Sequence, residues 1–426
     1  GVDELAVLSR TWLQAISDDR KVCFKLSDGR VLSGTLHASL TLACARALAG
    51  RTLDLESAYK QLLVRKANLW AAVLKIHNTD TGRDELYVSE VLPFGASAAV
   101  FGFNRFSRAL RKIGTRLFHL IWTNFLDDFP QVDLVCMGQA SMGAAERMLE
   151  LLGWRFSKKP EKRLPFSRSF DVLGVVVDLS ASESGTIVVR NKADRVDAIA
   201  TQVDDIIAEG VCKPSTAASL RGRFQFAEGQ LYGRAVAVCT PNFRRRALGH
   251  DNMSLLHEQV IAELRWVVEF LRAAAPRTLR AKDTRKPLLI FTDASLEDND
   301  MKASIGGVMY DGAECEYFSA ELSKVQLESL QTESTHVIAV LEVLPVACAM
   351  RMWSERALHR RVFYFIDNDA ARACLIKMIS GSPIINRVLK RITMIGAAHP
   401  SFAWYSRVPS DEPSRLLPLL ILQEEA

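Results

Sequence analysis

The stretch that most constrains this chain is Trp122-Thr123-Asn124-Phe125-Leu126-Asp127-Asp128-Phe129. An apolar run (Leu117, Phe118, Leu120, Ile121, Trp122) leads into two adjacent carboxylates, and a second apolar run, 132–135, follows. The pattern predicts strand, tight turn, strand, with the acids at the turn. Neighbouring carboxylates at a hairpin tip repel each other and gain nothing from packing. A divalent cation relieves that repulsion, because it takes hard oxygen ligands. The same octapeptide also reads as a solvated acidic turn.

The surrounding chain has 426 residues, a length that favours two or three domains, each with its own core. Apolar residues make up 49% and charged residues 24%, which suits a globular protein and excludes a disordered one. A net charge of +5 permits a polyanionic partner without demanding one. Eight cysteines are scattered without a Cys-x-x-Cys pair, mostly in apolar context. They read as reduced core residues of an intracellular protein, in cytoplasm or nucleus, and neither as zinc ligands nor as disulfides. No apolar run reaches the roughly 18 residues of a membrane span, and no signal peptide is recognisable. Because the first residue is Gly, the chain is expected to be a fragment or a processed product.

Before the acidic pair, a helix is expected at 11–16 and a hairpin around Ser27-Asp28-Gly29. A helix is expected at 39–49, with Gly50 as its C-cap. Leu53-Asp54-Leu55 reads as a short strand, placing Asp54 on the face opposite the leucines; an isolated Asp there also reads as a helix N-cap. Two apolar runs, 69–78 and 86–92, flank a turn at 78–82. Pro93-Phe94-Gly95 precedes a helix at 98–110 bearing Arg105, Arg108, Arg111 and Lys112, and suits an approaching anion. A plain loop is the other reading.

After the pair come an amphipathic helix at 144–152, a basic segment at 155–163 and a short buried strand within 170–179. Residues 190–275 repeat apolar positions at helical spacing, with Arg221, Arg223 and Arg244-Arg245-Arg246 adding charge that reads as a solvated or nucleic-acid-facing surface. Polar residues 276–286 read as a linker. An α/β pattern then begins. One strand ends in Thr292-Asp293, a long helix carries Glu342 on an otherwise apolar surface, and another strand ends in Asp367-Asn368-Asp369. Acids from three separate elements can converge at one sheet edge, which is how a two-metal hydrolytic site is assembled.

Taken in order, these motifs resemble a reverse transcriptase. Asp54 in "DLESAYKQL", Pro93-Phe94-Gly95, "FLDD", Leu152-Gly153-Trp154 with Lys162, and Val172-Leu173-Gly174 follow the order of that family's palm motifs. The second half resembles a fused ribonuclease H domain of retroelements, of the tyrosine-recombinase, LTR or pararetrovirus-like kinds, through "FTDAS", "AVLEVLPVACAM", "FIDNDAA" and "VPSDEPSRL". The likeness covers residues 45–180 and 287–416, and 185–275 more loosely.

The resemblance implies a multidomain α+β and α/β protein. Truncated fingers and a palm (antiparallel sheet with helices) would occupy 1–182, a helical thumb or connection 183–280, a ribonuclease H-like domain 287–416, and a tail 417–426. It implies RNA-directed DNA synthesis and cleavage of the RNA strand of RNA–DNA hybrids. Two Mg²⁺ per site, or Mn²⁺, would serve both. The partners implied are an RNA template, a DNA primer, RNA–DNA hybrid and deoxynucleoside triphosphates, with no membrane.

By position, Asp54 and Asp127 would bridge the polymerase metals, Asp128 would be accessory, and the Leu55 carbonyl could also ligate. Tyr59 would be the steric gate against a ribose 2′-hydroxyl, a half-buried structural Tyr being the alternative. Pro93, Phe94 and Gly95 would pack along nucleotide and template, Lys162 would be a general acid for pyrophosphate, and Leu173-Gly174 the primer grip. Asp293, Glu342 and Asp367 match the nuclease carboxylates, with Asp411 chosen as the fourth and Glu412 its rival. Asp369 is expected to cap a helix and His399 to be structural. The fingers are short, with Lys21, Lys25, Arg30 and Arg51 as the candidates to hold a triphosphate. A non-catalytic nucleic-acid-binding remnant of a polyprotein, or a nuclease alone, are the competing expectations.

Overall fold

The computed structural model describes residues 1–26, 28–231, 235–251, 254–297, 302–333 and 337–408. It is a mixed α and β molecule with several sheets and many helices. Two compact units are present: residues 1–189 with 278–282, and residues 190–277 with 283–426.

In the first unit, α1 (Val2–Ala15) begins well before the expected 11–16 and buries Leu5, Ser9 and Leu13, a stripe at i, i+4, i+8. The expected hairpin forms from β1 (Lys21–Lys25) and β2 (Val31–Thr35). The helix expected at 39–49 is only α2 (Leu42–Arg46), N-capped by the Thr41 hydroxyl, which accepts from the Cys44 amide at 3.1 Å. Strand β3 (Leu48–Asp54) takes over there, so Gly50 is a mid-strand residue and not a C-cap. A Cβ at Gly50 would run into the Phe170 ring and stand 2.8 Å from the Gln131 carbonyl oxygen, so close packing selects glycine.

Strands β4 (Val73–Asn78) and β5 (Arg83–Val88) make a separate hairpin. Helix α3 (Ser97–Leu117) extends past residue 110 and absorbs the start of the run expected to be a strand. The reason is packing: Phe103, Ser107, Leu110 and Gly114 form one buried stripe, and Gly114 leaves room for the Trp122 indole. Only isolated bridges at Trp122 and Phe125 remain of that strand. The other half is real: β6 (Asp128–Leu134) pairs antiparallel with β3 and sets Asp128 opposite Asp54. Helix α4 (Gly138–Leu151) follows. The run at 170–179 is a hairpin, β7 (Ser169–Val172) and β8 (Val175–Asp178), reversed by Leu173 and Gly174 at φ 47° and 80°. With β9 (Thr186–Asn191) and β10 (Arg277–Arg280) it forms a sheet ordered β10-β9-β8-β7. The expected linker therefore contains a strand, held because Leu279 and Ala281 pack on the core of Val175, Val177, Ile187 and Val189.

In the second unit, α5 (Ala193–Glu209), α6 (Pro214–Glu228), α7 (Ala235–Cys239), α8 (Pro241–Ala247) and α9 (Glu258–Ala273) share a core through Val203, Leu220, Phe224, Phe243 and Leu264. A five-stranded sheet follows, ordered β13-β12-β11-β14-β15. Its strands are β11 (Leu288–Glu297), β12 (Lys302–Asp311), β13 (Glu314–Glu321), β14 (Arg361–Ile366) and β15 (Phe402–Arg407). The first three are antiparallel meander strands; β14 and β15 run parallel to β11. Parallel neighbours need crossover helices, supplied here by α10 (Lys324–Glu333), α11 (Val337–Met352), α12 (Ser354–Ala357), α13 (Asp369–Lys377) and α14 (Pro383–Ala398). Helix α11 is apolar nearly all round because it is buried on both sides.

Of the eight cysteines, all free, only Cys212 and Cys239 are buried; Cys23, Cys44, Cys136 and Cys315 are exposed, contrary to the core reading. Among the described residues no helix is long and apolar enough to cross a membrane.

Candidate active sites

In the first unit the acids meet through the β3–β6 pairing. Leu126, at φ 54°, reverses the chain between Phe125 and Asp128, whose amides and carbonyls bond each other at 2.9 and 3.0 Å. The Asp127 carbonyl accepts from the Leu55 amide at 3.2 Å, so the turn is bonded to the residue after Asp54. Lys162 donates from Nζ to Asp54 Oδ2, an ion pair and hydrogen bond that holds the ammonium above its usual pKa. Burial pushes the Asp128 carboxyl up to about 6, with the charges of Asp127 and Asp54 adding to it. Asp127 is raised by burial and by the Asp54 charge. Electrostatically the three acids form one cluster, but their oxygens do not close into a group within 4.8 Å.

Around this cluster, Tyr59 is 6% exposed, its ring centroid 4.6 Å from that of Phe103 and 5.0 Å from that of Phe94. Its hydroxyl is raised by burial and by the Asp127 charge, so the ring is packed at the rim of the acid site. Pro93, Phe94 and Gly95 form the loop before α3, with Phe94 exposed and Gly95 at φ 89°. Leu173 and Gly174 sit at the tip of the β7–β8 hairpin.

Among the basic candidates, Arg51 is overturned. It is 2% exposed and its guanidinium pairs with Glu146 at 3.3 Å, because alternation along β3 turns it to the face opposite Asp54. Lys21 and Arg30 are on the surface, paired with Asp19 and Asp28 at 2.8 Å. A cleft of about 750 Å³ lies beside the acidic turn, lined by Arg108, Arg111, Lys112, Arg116, Asn124 and Phe125, with Glu4 on its wall paired to Arg111. Arg116 escaped the sequence reading, although the spacing of Arg105, Arg108, Lys112 and Arg116 marks one helix stripe, and Asn124 was read there only as part of the turn.

In the second unit three acids converge fully. Asp293 lies within β11 and not at its end; Glu342 is on α11; Asp367 follows β14. The parallel register pairs Phe291 with Phe365, and continuing it two residues aligns Asp293 with Asp367. Helix α11 packs on β11 and brings Glu342 between them. One carboxylate oxygen from each lies within 4.8 Å of the others. Glu342 is 4% exposed, and burial, then the charges of Asp367 and Asp293, push its carboxyl up to about 8. Its Oε2 is buried without a hydrogen-bond partner among the described residues. The Asp293 Oδ1 accepts from the Ala294 amide at 2.9 Å. An all-carboxylate donor set with one orphaned buried oxygen fits a hard divalent cation.

Asp369 is the first residue of α13, salt-bridged to Arg372 and Arg407 at 2.9 and 3.2 Å; the cap is Asn368, whose side chain accepts from the Ala371 amide at 3.0 Å. His399 ends α14 and lies 3.5 Å from Glu355. Asp411 and Glu412 lie outside the described residues.

No family model and no curated protein matches this chain. Among solved structures it is similar to a foamy viral protease-reverse transcriptase in complex with RNA/DNA hybrid, at TM-score 0.42 and 14% identity over 92% of this chain and 50% of that one. It is similar to the foamy viral protein with dsDNA (TM-score 0.41, 12% identity, 92% and 77% covered) and to its dRH form with ds DNA (0.40, 13%, 92% and 65%). The chain thus spans half the length of the first of these. Superpositions this loose do not assign a fold.

Proposed function

We propose that the chain is a metal-dependent nucleic-acid enzyme with two centres: RNA-directed DNA polymerisation in the first unit, and cleavage of the RNA strand of RNA–DNA hybrids in the second. The observation that carries the second centre, the stronger of the two, is the meeting of Asp293, Glu342 and Asp367, drawn from three elements, around an orphaned buried carboxylate oxygen; the first centre is supported by Asp54 set opposite Asp128 beside Asp127. Holding a buried Glu342 against two exposed carboxylates is costly while all three are charged, unless a cation joins them. When bound, paired Mg²⁺ or Mn²⁺ ions would supply the charge that stabilises the attacking and leaving oxygens of an in-line displacement at phosphorus.

The side chains divide the rest of the work. Asp293, Glu342 and Asp367 would hold the ions in the second unit. Glu342, favouring its protonated form, would exchange a proton for a cation, so that affinity rises with pH. In the first unit Asp54 and Asp127 would be the ligands, Asp128 the accessory, and the Leu55 carbonyl a further donor. Lys162 holds a proton at Nζ beside Asp54, where a departing pyrophosphate would need one. Tyr59, braced by Phe94 and Phe103, would exclude a 2′-hydroxyl. The cations Arg108, Lys112 and Arg116 in the cleft beside the turn would suit a phosphate backbone.

A nuclease-only reading is favoured by one observation: the first-unit acids do not close, and Lys162 occupies Asp54. Primer extension on a homopolymer template with Mg²⁺, wild type beside Asp127→Asn, separates the readings. Extension lost in Asp127→Asn supports the polymerase. No extension in either protein, with hybrid cleavage intact, leaves the nuclease alone. Absence of both activities leaves a binding remnant.

A further inference from the structure

The segment after α4 runs back along β3 and is tied to it at two places. At one end the Ser157 amide donates to the Asp54 carbonyl at 2.9 Å and the Glu56 amide to the Arg155 carbonyl at 3.1 Å. At the other, Gly50 and Ser167 exchange both backbone bonds at 2.9 Å. Between these ties the chain leaves the strand in a turn, where the Lys162 and Arg163 amides both donate to the Lys159 carbonyl at 2.9 and 2.8 Å. Two adjacent side chains of this loop reach in opposite directions. Lys162 goes to Asp54, and Arg163 goes to Glu146 on α4, Nη2 to Oε2 at 2.7 Å and Nε to Oε1 at 3.1 Å.

Glu146 is buried, and its Oε1 also accepts from both Nη1 and Nη2 of Arg51 at 3.3 Å. Arg51 lies three residues before Asp54 on the same strand. One buried carboxylate therefore ties the strand that carries Asp54 to the loop that carries Lys162. Burial raises the Glu146 carboxyl, but the bond from Arg163 and the charges of Arg51 and Arg163 outweigh it and hold the group below its usual range, ionised. A buried carboxylate shared by two guanidiniums is an exacting arrangement that apolar packing could replace at no loss of stability.

We propose that Glu146 is a positioning residue: by gripping Arg51 and Arg163 together it fixes the 158–165 loop over β3 and so delivers the Lys162 ammonium to Asp54. The consequence for turnover rests on the nucleotidyl-transfer reading; the geometric linkage does not.

The test is lysine acetylation of the full chain with an N-hydroxysuccinimide ester, read by peptide mass spectrometry. Arg163→Gln is the leading variant, because it removes an exposed partner and leaves the buried Arg51–Glu146 pair whole; Glu146→Gln is the second. Lys162 should react about 5-fold faster in both, reaching the level of Asp54→Asn. Lys75, paired with Asp84 elsewhere in the unit, should be unchanged. Lys162 reactivity in Arg163→Gln equal to wild type, or unmoved even by Asp54→Asn, overturns the proposal. Primer extension adds a double-mutant cycle. Arg163→Gln should cost nothing further in a Lys162→Met background, whereas multiplied losses in the double variant would mean a general structural role and overturn the positioning one. A wild type that extends no primer sinks the polymerase reading, and the acetylation result still decides this one.

Discussion

The two acidic clusters answer the same electrostatic problem differently. In the second unit Asp293, Glu342 and Asp367 stand close enough to share an ion, and no cation of the chain is paired with Glu342 among the described residues. In the first unit Asp54, Asp127 and Asp128 are strung along a strand and a turn, and the chain supplies its own cation, Lys162. The second-unit cluster has no counter-charge from the chain at Glu342 among the described residues, whereas the first-unit cluster has one at Asp54. If a cation binds as proposed, the second-unit pattern would couple stability to metal binding, and the first-unit pattern would couple them less.

The sharpest way to break this comparison is to remove one acid from each cluster. Asp293→Asn should lower hybrid cleavage about 10³-fold and leave primer extension within about 2-fold. Asp127→Asn should do the reverse. Loss of both activities in either variant would mean that the centres are not independent.

Next comes the pH dependence of metal-free stability. Native Glu342 holds its proton up to about pH 8, while in the unfolded chain it ionises near 4.5. Between those values the native state binds more protons, so stability falls as pH rises. The loss should amount to about 2–4 kcal/mol by pH 8, to be absent in Glu342→Gln, and to be recovered by Mg²⁺. Asp128 makes a smaller contribution of the same sign, complete by about pH 6. Urea titrations from pH 5 to pH 9 with and without Mg²⁺ would measure both. A profile of Glu342→Gln that parallels the wild type would remove Glu342 as the cause.

Backbone packing behind each cluster gives a third comparison. A Cβ on Gly50 would strike the Phe170 ring, and one on Gly307, opposite Thr292, would strike Phe318 at 2.6 Å. Gly50→Ala and Gly307→Ala should each cost about 1–3 kcal/mol in denaturant unfolding. Equal stability to wild type would show that the aromatic rings yield. The smallest effect is expected for Tyr59→Phe, which keeps the ring between Phe94 and Phe103: under about 1 kcal/mol in stability and little change in discrimination between ribo- and deoxynucleotides. Tyr59→Val should relax that discrimination if the ring is the gate.

Much of the first unit was legible because its signals are local. The 28–29 turn, the 78–82 turn and the Leu126-Asp127 reversal all separate short runs whose turn residues announce themselves. What misled was the boundary between helix and strand in apolar runs. Leu117 to Trp122 has strand-like composition, yet its beginning finishes α3, because Gly114 admits the Trp122 ring. Residues 47–49 read as helix and Gly50 as its cap, yet Leu48 and Gly50 join β3, because β6 lies opposite. Nothing local in either stretch reports the partner that decides it. Arg51 shows the same limit for charge. A basic residue near an expected triphosphate site reads as a ligand, but strand alternation turns it inward to a glutamate 95 residues away.

By itself the sequence marked which side chains were candidates: the acids at 54, 127, 128, 293, 342 and 367 stand beside apolar runs that must be buried. Tertiary structure alone decided their distances and their counter-charges. Register between β11 and β14 aligned Asp293 with Asp367, the packing of α11 buried Glu342 between them, and the loop over β3 set Lys162 on Asp54. The physical reason is range. Alternation and helical spacing act over a few residues, whereas a carboxylate's partner is chosen by whichever strand or helix packs against it, however far away it lies along the chain.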